Sequence, residues 1–199
     1  MDNNFNFIAP FYDRLSKLIF GKSIMQSQCY FLKKIKETDS VLILGGGTGE
    51  LLESLPQCKS VSFLDLSEKM IAIAKTRVSK NSIDFIHSDL LTHDFQSKYD
   101  VIICPFFLDC FNAVNLSLVL KKIKRVVNSE GSLIVTDFQR LNNNSFLLGT
   151  MHLFFQTFSS LESSQLKNIH KEVQLEGFNI KEEKIFHRNM IFSRLYGNL

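Results

Sequence analysis

The sequence predicts one doubly wound α/β domain with a parallel sheet that is covered by helices on both faces. Short β-branched runs alternate with helix-period segments from about residue 41 almost to the C-terminus, which is the pattern of repeated βαβ units. The middle of each run is nearly all apolar, as in parallel strands that are buried on both sides. The chain has 199 residues, of which 45% are hydrophobic. This is the size and composition of a single folded domain, and we expect residues 1–199 to form one.

The first 38 residues precede the alternating pattern and are predicted to form an N-terminal helical cap. Pro10 suits the first turn of a helix, and Gly21 is placed to end it. A second helix is predicted from about Ser23 to Lys36, where the apolar side chains recur at helical spacing. We expect this cap to cover the ligand crevice of the domain.

Residues 39–140 contain the first five strands and the helices that connect them. The predicted strands are Val41–Leu44, Val61–Asp65, Ile83–His87, Tyr99–Cys104 and Ser132–Asp137. The predicted helices are Gly49–Leu55, Glu68–Val78 and Leu116–Val127, with Ser67 and Asn115 as N-caps of the last two. The third crossover, from Asp89 to Lys98, has the least defined pattern of these connections.

Residues 141–199 follow a different pattern, which begins with a loop at Asn142 to Asn144. A very apolar helix is predicted at Ser145–Phe158, and another at Gln165–Glu176, closed by Gly177. Phe178–Phe186 and Met190–Tyr196 are predicted to form a final antiparallel pair.

Charge and cysteine usage exclude several classes of protein. The net charge is +3, and the basic residues are scattered along the chain, so we expect no nucleic-acid partner. The cysteines form no C-x-x-C pair and no zinc-finger pattern, which predicts a reduced, cytoplasmic protein without a metal site. The apolar stretch at 146–158 is shorter than the ~20 residues that a membrane span needs. We therefore expect no integral membrane segment, and a monomer or homodimer.

The strongest motif is the glycine-rich loop that follows Val41–Leu44 and runs from Gly45 to Glu50. A strand, a glycine loop and a helix start in this order predict a nucleotide-like ligand, because the loop backbone approaches the ligand closely. No Lys follows Gly49, which disfavours a nucleoside triphosphate. A dinucleotide fingerprint requires glycine at position 50, where the Glu50 carboxylate would repel a pyrophosphate. The spacing present, G-x-G-x-G, accepts an amino-acid moiety in that place.

Acidic residues follow the next two predicted strands. Asp65 follows Gly45 by about 20 residues, the distance at which an acidic side chain reaches ribose hydroxyls. Asp89 follows the third strand, where it would accept a hydrogen bond from an adenine amine while Leu90 packs against the ring. The ends of three strands then bind one adenosine.

These motifs, at residues ~40–140, resemble the class I S-adenosylmethionine-dependent methyltransferases. Phe11-Tyr12-Asp13 and Phe20-Gly21 are similar to the entry segment of the small-molecule, quinone-biosynthesis-like subgroup (methyltransferase type 11/25). The resemblance implies a Rossmann-like three-layer sandwich with a seven-stranded, mostly parallel sheet and an antiparallel last strand. It implies S-adenosyl-L-methionine as cofactor and S-adenosyl-L-homocysteine as product. The expected cofactor-binding residues are Tyr12, Gly45, Gly46, Gly47, Gly49, Asp65, Leu66, Met70, Ser88, Asp89, Leu90, Cys104, Pro105 and Phe106.

One position departs from the family pattern. Ile43 stands two residues before the first glycine, where the family usually has an acid that helps to hold the ammonium group of the cofactor. We expect either a lower cofactor affinity or a backbone carbonyl in place of that acid.

The acceptor is predicted to be a small or medium-sized, largely apolar molecule. Cys104 begins the turn in which nucleic-acid amino methyltransferases have Asn or Asp, and a thiol is a poor acceptor for the target amine. The apolar helix at 145–158 predicts a lid over the acceptor or, alternatively, a dimer interface. Tyr12, His152 and Asp109 are the candidate catalytic residues, with Asp137 as a further candidate base. A non-catalytic S-adenosylmethionine-binding module and a Rossmann-type NAD(P) oxidoreductase remain as alternatives.

Overall fold

Seven strands form one sheet in the computed structural model, which describes residues 13–14, 17–139 and 168–198. The strands are β1 (Ser40–Leu44), β2 (Ser60–Asp65), β3 (Ile83–His87), β4 (Tyr99–Pro105), β5 (Val127–Phe138), β6 (Phe178–Phe186) and β7 (Ile191–Asn198). Their order across the sheet is β3-β2-β1-β4-β5-β7-β6. β7 is antiparallel to both of its neighbours, and the other pairs are parallel. The predicted sheet, with its antiparallel last strand, is confirmed.

The helices of the described residues are short except for one. They are α1 (Ser23–Cys29), α2 (Glu68–Ala74), α3 (Ala113–Val126) and α4 (Ile169–Leu175), with 3₁₀ helices at Leu32–Lys34, Glu50–Ser54 and Leu108–Cys110. Residues 13–14 and 17–20 are also helical, and we call them the N-terminal helical segment. The backbone N–H of Gly21 donates to the carbonyl of Lys17 at 2.9 Å, so this segment ends at the glycine that was predicted to end it.

Two predicted helices have different bounds in the structure because of local hydrogen bonds. Helix α3 begins at Ala113, and its N-cap is Asn112, whose side chain accepts the backbone N–H of Asn115 at 2.8 Å. The predicted N-cap at Asn115 is therefore wrong. Helix α2 was predicted to end at Val78 but ends at Ala74. Just beyond this end, the Thr76 hydroxyl donates to the carbonyl of Ile73 at 2.7 Å. Such a bond competes with the regular helical pattern.

Two further predictions of helices need correction. The predicted helix at Gly49–Leu55 is a 3₁₀ helix at Glu50–Ser54, and Gly49 is its N-cap with a left-handed φ of +71°. The predicted helix from Ser23 to Lys36 is divided into α1 and the 3₁₀ helix at Leu32–Lys34. The crossover at 89–98 contains a turn and no helix.

The sheet is covered on both faces, and alternate residues of β1 supply both cores. Leu42 and Leu44 belong to the cluster that includes residues of α3 and α4. Val41 and Ile43 belong to the opposite cluster, which includes residues of α2 and of the 3₁₀ helices at Leu32–Lys34 and Glu50–Ser54. All four side chains are fully buried, which explains the continuous apolar run of this strand.

The sheet topology places a ligand crevice beside β1. Strand β1 pairs with β2 on one side and with β4 on the other, so the direction in which successive strands are added to the sheet reverses here. In open α/β sheets, ligands bind at such a switch point, outside the carboxyl ends of the strands. The loops after β1, β2 and β4 meet at this edge.

Several predictions lie outside the described residues. These are Tyr12, His152, the loop at Asn142 to Asn144 and the apolar helix at Ser145–Phe158. In the part of the chain that the structure describes, no helix has the length and apolar character needed to cross a membrane.

Candidate functional site

The loop after β1 has a backbone conformation that requires its glycines. Gly45, Gly47 and Gly49 have φ values of +63°, +57° and +71°, which lie in the left-handed region that side chains with a Cβ rarely adopt. The backbone N–H of Gly45 donates to the carbonyl of Leu64 at 2.8 Å, and this bond joins the loop to the end of β2. The alternate spacing of the glycines is therefore a conformational requirement.

The three glycines differ in what surrounds them. A Cβ on Gly45 would lie 2.1 Å from Cδ2 of Phe107, and one on Gly49 would lie 2.8 Å from Cβ of Ala74. A Cβ on Gly47 would have no heavy atom of the described residues within 4 Å, apart from its own chain neighbours. Gly45 and Gly49 thus permit close packing, whereas Gly47 faces a space that none of the described residues fills.

Asp65, the last residue of β2, is bound to this open part of the loop. Its Oδ2 accepts the backbone N–H of Gly47 at 2.9 Å, and its Oδ1 accepts that of Ser67 at 2.8 Å. The residue is only 9% exposed. Burial raises the pKa of the Asp65 carboxyl, and the two amide hydrogen bonds partly oppose this shift. The structure places Asp65 and the glycine loop together, as the sequence predicted.

The remaining predicted residues near the adenosine position differ in accessibility. Leu66 is 45% exposed although it is apolar, whereas Met70 and Leu90 are buried. The Oδ1 of Asp89 accepts the backbone N–H of Leu91 at 2.8 Å. The backbone N–H of Ser88 donates to the carbonyl of Asp65 at 3.2 Å, so the ends of β2 and β3 are joined beside the glycine loop.

The turn after β4 contains a residue in a strained conformation. Phe106 has a φ of +52°, which is rare for an aromatic residue and occurs often at functional sites. Its backbone N–H donates to the carbonyl of Thr136 at 2.7 Å, and its ring centroid lies 4.8 Å from that of Phe138. Pro105 and Cys104, which precede it, are buried. Burial raises the pKa of the Cys104 thiol far above its ordinary value, so this group is a protonated core side chain.

A pair of buried carboxyl groups lies beside this turn. Oδ2 of Asp137 accepts the backbone N–H of Asp109 at 3.2 Å, and its Oδ1 accepts that of Phe138 at 2.9 Å. Burial and then the negative charge of Asp109 raise the pKa of Asp137 well above its ordinary value. Two adjacent carboxyl groups cannot both ionise easily, so the pair shares a proton. The sequence identified each residue as a candidate base but did not predict that they touch.

The electrostatic environment of Cys110 shows that three carboxyl groups lie around one region. Burial has the largest effect on its thiol pKa, and the carboxyl groups of Asp109, Asp137 and Asp65 raise it further. Asp65 ends β2, Asp109 follows β4, and Asp137 lies at the end of β5. Three carboxyl groups therefore lie at this edge of the sheet, and those that are ionised attract a ligand with positive charge.

Comparison with known proteins identifies the family. Residues 41–131 match the sequence family described as "Methyltransferase domain", and this range contains the glycine loop, Asp65, Asp89 and Asp109. These residues form a class I S-adenosylmethionine-dependent methyltransferase domain. The family that the motifs resemble is thereby confirmed.

Two curated relatives are also methyltransferases. The malonyl-[acyl-carrier protein] O-methyltransferase of Bacillus cereus is 31% identical over 144 residues, which are 69% of this chain and 52% of that protein. The demethylmenaquinone methyltransferase of Porphyromonas gingivalis is 29% identical over 68% of this chain and 59% of that protein. The chain spans about half the length of the first of these relatives.

The fold of the methyltransferase domain recurs in a solved structure. The N-methyltransferase NodS of Bradyrhizobium japonicum, in complex with S-adenosyl-L-homocysteine, has a TM-score of 0.70 and 14% identity, with 99% of each chain covered. Identity at this level shows the fold alone. S-adenosylmethionine is the cofactor of the family that residues 41–131 match, and the predicted cofactor is confirmed at that level.

The geometry of the methyltransferase domain fits this cofactor. The open side of Gly47 leaves room for an amino-acid moiety, the buried Asp65 offers carboxylate oxygens next to it, and ionised carboxyl groups at this edge attract a sulfonium cation. Ile43 is fully buried in the core, so that side chain does not reach the crevice. The Glu50 carboxylate contacts Nζ of Lys17, so the charge that argued against a pyrophosphate is partly balanced.

Proposed function

We propose that this protein binds S-adenosyl-L-methionine at the carboxyl ends of β1, β2 and β4 and transfers a methyl group to a small or medium-sized, largely apolar acceptor. The observation that carries the proposal is the space beside Gly47, whose N–H is held by the buried carboxylate of Asp65 at 2.9 Å. A loop that only turns the chain would not need an open glycine next to a buried carboxylate.

Each strand end contacts a different part of the cofactor in this proposal. Gly45, Gly47 and Gly49 admit the methionine portion, and Asp65 accepts hydrogen bonds from the ribose hydroxyls. Asp89 accepts a hydrogen bond from the adenine amine. The exposed side chain of Leu66 supports this placement, because an apolar group at the rim of a crevice is stabilised when an aromatic ring covers it.

The cofactor, when bound, supplies a methyl group on a sulfonium, an activated carbon that is open to in-line displacement. The protein then has to align the acceptor and exclude water from it. The aromatic turn after β4 helps to exclude water, because Phe106 packs on Phe138 at 4.8 Å and Phe107 packs on Phe111 at 4.9 Å. Tyr12, which is next to the described residue Asp13, is proposed to position the methyl donor.

An acceptor hydroxyl must lose its proton during the transfer, and the Asp109 and Asp137 pair is proposed to take it. Asp109 is 8% exposed as a whole residue, whereas Asp137 is fully buried, so Asp109 is proposed as the member that an acceptor reaches. Asp137 holds the backbone of Asp109 through its hydrogen bond of 3.2 Å. His152 remains the alternative base.

Two observations support a largely apolar acceptor. The predicted helix at Ser145–Phe158 has few polar positions on any face, as expected for a lid over an apolar molecule. The second observation is that one relative is named as a demethylmenaquinone methyltransferase; the name of another relative, a malonyl-[acyl-carrier protein] O-methyltransferase, describes an acidic acyl group on a protein instead. An oxygen or carbon acceptor is consistent with both names.

Titration calorimetry with S-adenosylmethionine, S-adenosylhomocysteine and NAD tests the cofactor assignment. We expect both sulfur compounds to bind and NAD to bind much more weakly. Preferential NAD binding would identify an oxidoreductase and overturn the proposal. Incubation of cell extract with methyl-labelled cofactor then tests transfer, and the absence of any labelled product would leave a binding module without methyltransferase activity.

The role of Asp109 is tested separately with the Asp109→Asn variant. For an oxygen acceptor we expect turnover to fall by about 10²-fold to 10⁴-fold, the usual contribution of a general base, with the affinity for S-adenosylhomocysteine retained. Asp84→Asn on the exposed face of β3 is the matched control. Full activity of Asp109→Asn would remove Asp109 from the mechanism.

A further inference from the structure

Thr48, between two glycines of the loop, is held by side chains from two distant parts of the chain. Its hydroxyl donates to Oδ1 of Asp13 at 2.5 Å, and its carbonyl accepts from Nε of Arg77 at 3.0 Å. Arg77 also donates to Oδ2 of Asp13 through a second nitrogen. Thr48, Asp13 and Arg77 therefore form a closed ring of three contacts, which we call the Thr48 clamp.

The Thr48 clamp is sheltered from water. Thr48 is 4% exposed, and the Asp13 and Arg77 side chains are 23% and 20% exposed. Hydrogen bonds between ionised partners in such a setting are shorter and stronger than neutral ones. By contrast, the other carboxylate partner of Arg77 is Glu53, at 3.3 Å and with a side chain that is 50% exposed. The contacts of Arg77 with Asp13 and Thr48 are therefore stronger than its contact with Glu53.

A second contact joins the same two parts of the chain. Lys17 of the N-terminal helical segment pairs with Glu50, the first residue after the glycine loop. Asp13 and Lys17 both belong to the described helical residues of this segment. The N-terminal helical segment thus contacts the loop on both sides of Gly49.

The Thr48 clamp acts on the atoms that the cofactor site needs. Thr48 directly follows Gly47, whose N–H donates to Asp65 and whose open side is the proposed cradle. Both glycines that flank Thr48 have left-handed φ values, and a glycine-rich loop loses much conformational entropy when it is ordered. Contacts that order the loop in advance reduce the conformational entropy that is lost when the cofactor binds.

We propose that Asp13 and Arg77 are positioning residues for S-adenosylmethionine, and that they act by holding Thr48 so that the Gly47 cradle is preformed. This assignment rests on the cofactor site proposed above. The contacts couple the N-terminal helical segment to the cofactor site, and such coupling is reciprocal. Bound cofactor therefore stabilises the segment, and loss of the clamp weakens cofactor binding.

Variants of the Thr48 clamp test this assignment by calorimetry with S-adenosylmethionine. Thr48→Val removes the hydroxyl but keeps the shape, and Asp13→Ala removes the carboxylate. We expect each to raise the Kd between about 5-fold and 50-fold. The double variant is expected to bind no more weakly than Asp13→Ala, because both changes break the same contact. Thr48→Ser retains the hydroxyl and is expected to stay within about twofold of the wild type.

Glu53→Gln is the matched control, since it removes the exposed carboxylate partner of the same arginine and leaves Thr48 untouched. Hydrogen exchange supplies a measurement that a purely structural role would not change. Addition of S-adenosylmethionine is expected to slow amide exchange in residues 17–21 of the wild type and to have no such effect in Asp13→Ala.

The outcomes separate this assignment from the proposed function. If wild-type protein binds S-adenosylmethionine and Thr48→Val binds it equally well, the Thr48 clamp does not position the cofactor. Exchange in residues 17–21 that is unchanged by the cofactor in the wild type would also overturn the assignment. If the wild type itself does not bind S-adenosylmethionine, the proposed function fails and the assignment fails with it.

Discussion

The Asp65 carboxylate and the backbone N–H of Gly47 form a hydrogen bond of 2.9 Å that joins the end of β2 to the loop after β1. The other oxygen of the same carboxylate accepts the N–H of Ser67 at 2.8 Å, and Ser67 is the N-cap of α2. One buried side chain therefore connects the glycine loop with the start of a helix. A change at Asp65 should affect both the loop and the ligand that the loop receives.

We predict that Asp65→Ala weakens S-adenosylmethionine binding. The variant loses a carboxylate that is proposed to accept ribose hydroxyls, and the loss should amount to about 1–3 kcal/mol, or roughly 5-fold to 150-fold in Kd. Calorimetry measures the affinity, and thermal melting reports the stability. Asp84→Ala, on the exposed face of β3, serves as control. An unchanged Kd in a folded Asp65→Ala variant would show that the ribose lies elsewhere.

Gly47→Ala is predicted to block the cofactor cradle while the protein still folds. The added Cβ meets no heavy atom of the described residues within 4 Å, and the φ of +57° adds strain of about 1–2 kcal/mol. Gly21→Ala has a matching φ of +58° and equally open surroundings, so it carries the same strain away from the loop. We expect similar melting temperatures for the two variants and loss of S-adenosylmethionine binding only in Gly47→Ala. Equal affinities of the two variants for S-adenosylmethionine would contradict the proposal that Gly47 forms the cofactor cradle.

Gly45→Ala is predicted to destabilise the fold itself. Its Cβ would lie 2.1 Å from Cδ2 of Phe107, so overpacking is added to the strain of a left-handed residue, at a cost of about 2–4 kcal/mol together. Urea unfolding measures the effect. Because the clash is with one ring, Phe107→Leu should recover part of the loss when combined with Gly45→Ala. Independent, additive effects of the two changes would show that the ring is not the cause.

The buried carboxyl pair predicts a pH dependence of stability. Burial and Asp109 raise the pKa of Asp137 well above its ordinary value of 3.8, so the folded state keeps a proton that the unfolded chain releases. As the pH rises above 3.8, the free energy of unfolding should therefore fall, by up to about 1.4 kcal/mol per pH unit, until the pH passes the raised pKa.

Asp137→Asn removes this titration and should give a flatter profile from pH 3.8 upwards. Urea unfolding at several pH values measures both slopes. Asp100→Asn provides a control of opposite sign: burial opposes the shift, but hydrogen bonds from Ser40 and Asn128 lower the pKa of Asp100 overall. That variant should lose stability relative to the wild type at neutral pH and much less in acid. Parallel profiles for the wild type and Asp137→Asn would refute the shared proton.

Features that depend on neighbouring residues could be predicted from the sequence. The apolar run of β1, the left-handed glycines of the loop and the acidic residues at the ends of β2 and β3 all have local signatures. Parallel strands buried on both faces must be apolar throughout, and a turn with positive φ requires glycine. The resemblance to the family rested on these signatures, and the seven-stranded sheet was what the resemblance implied.

Contacts between distant residues required the tertiary structure. Asp109 and Asp137 each had a local signature as a strand-end carboxyl group, but their contact depends on how the turn after β4 packs on β5. Likewise, Asp13 and Arg77 approach Thr48 only because the N-terminal helical segment and the residues after α2 meet above the glycine loop. Asn112 and Asn115 have the same capping chemistry, and only the backbone geometry at Asn112 decided which one caps α3. Periodicity and spacing thus determined the strands, the loop and the family, whereas the partners of individual polar groups were decided by the folded backbone, which sets distances that sequence separation does not encode.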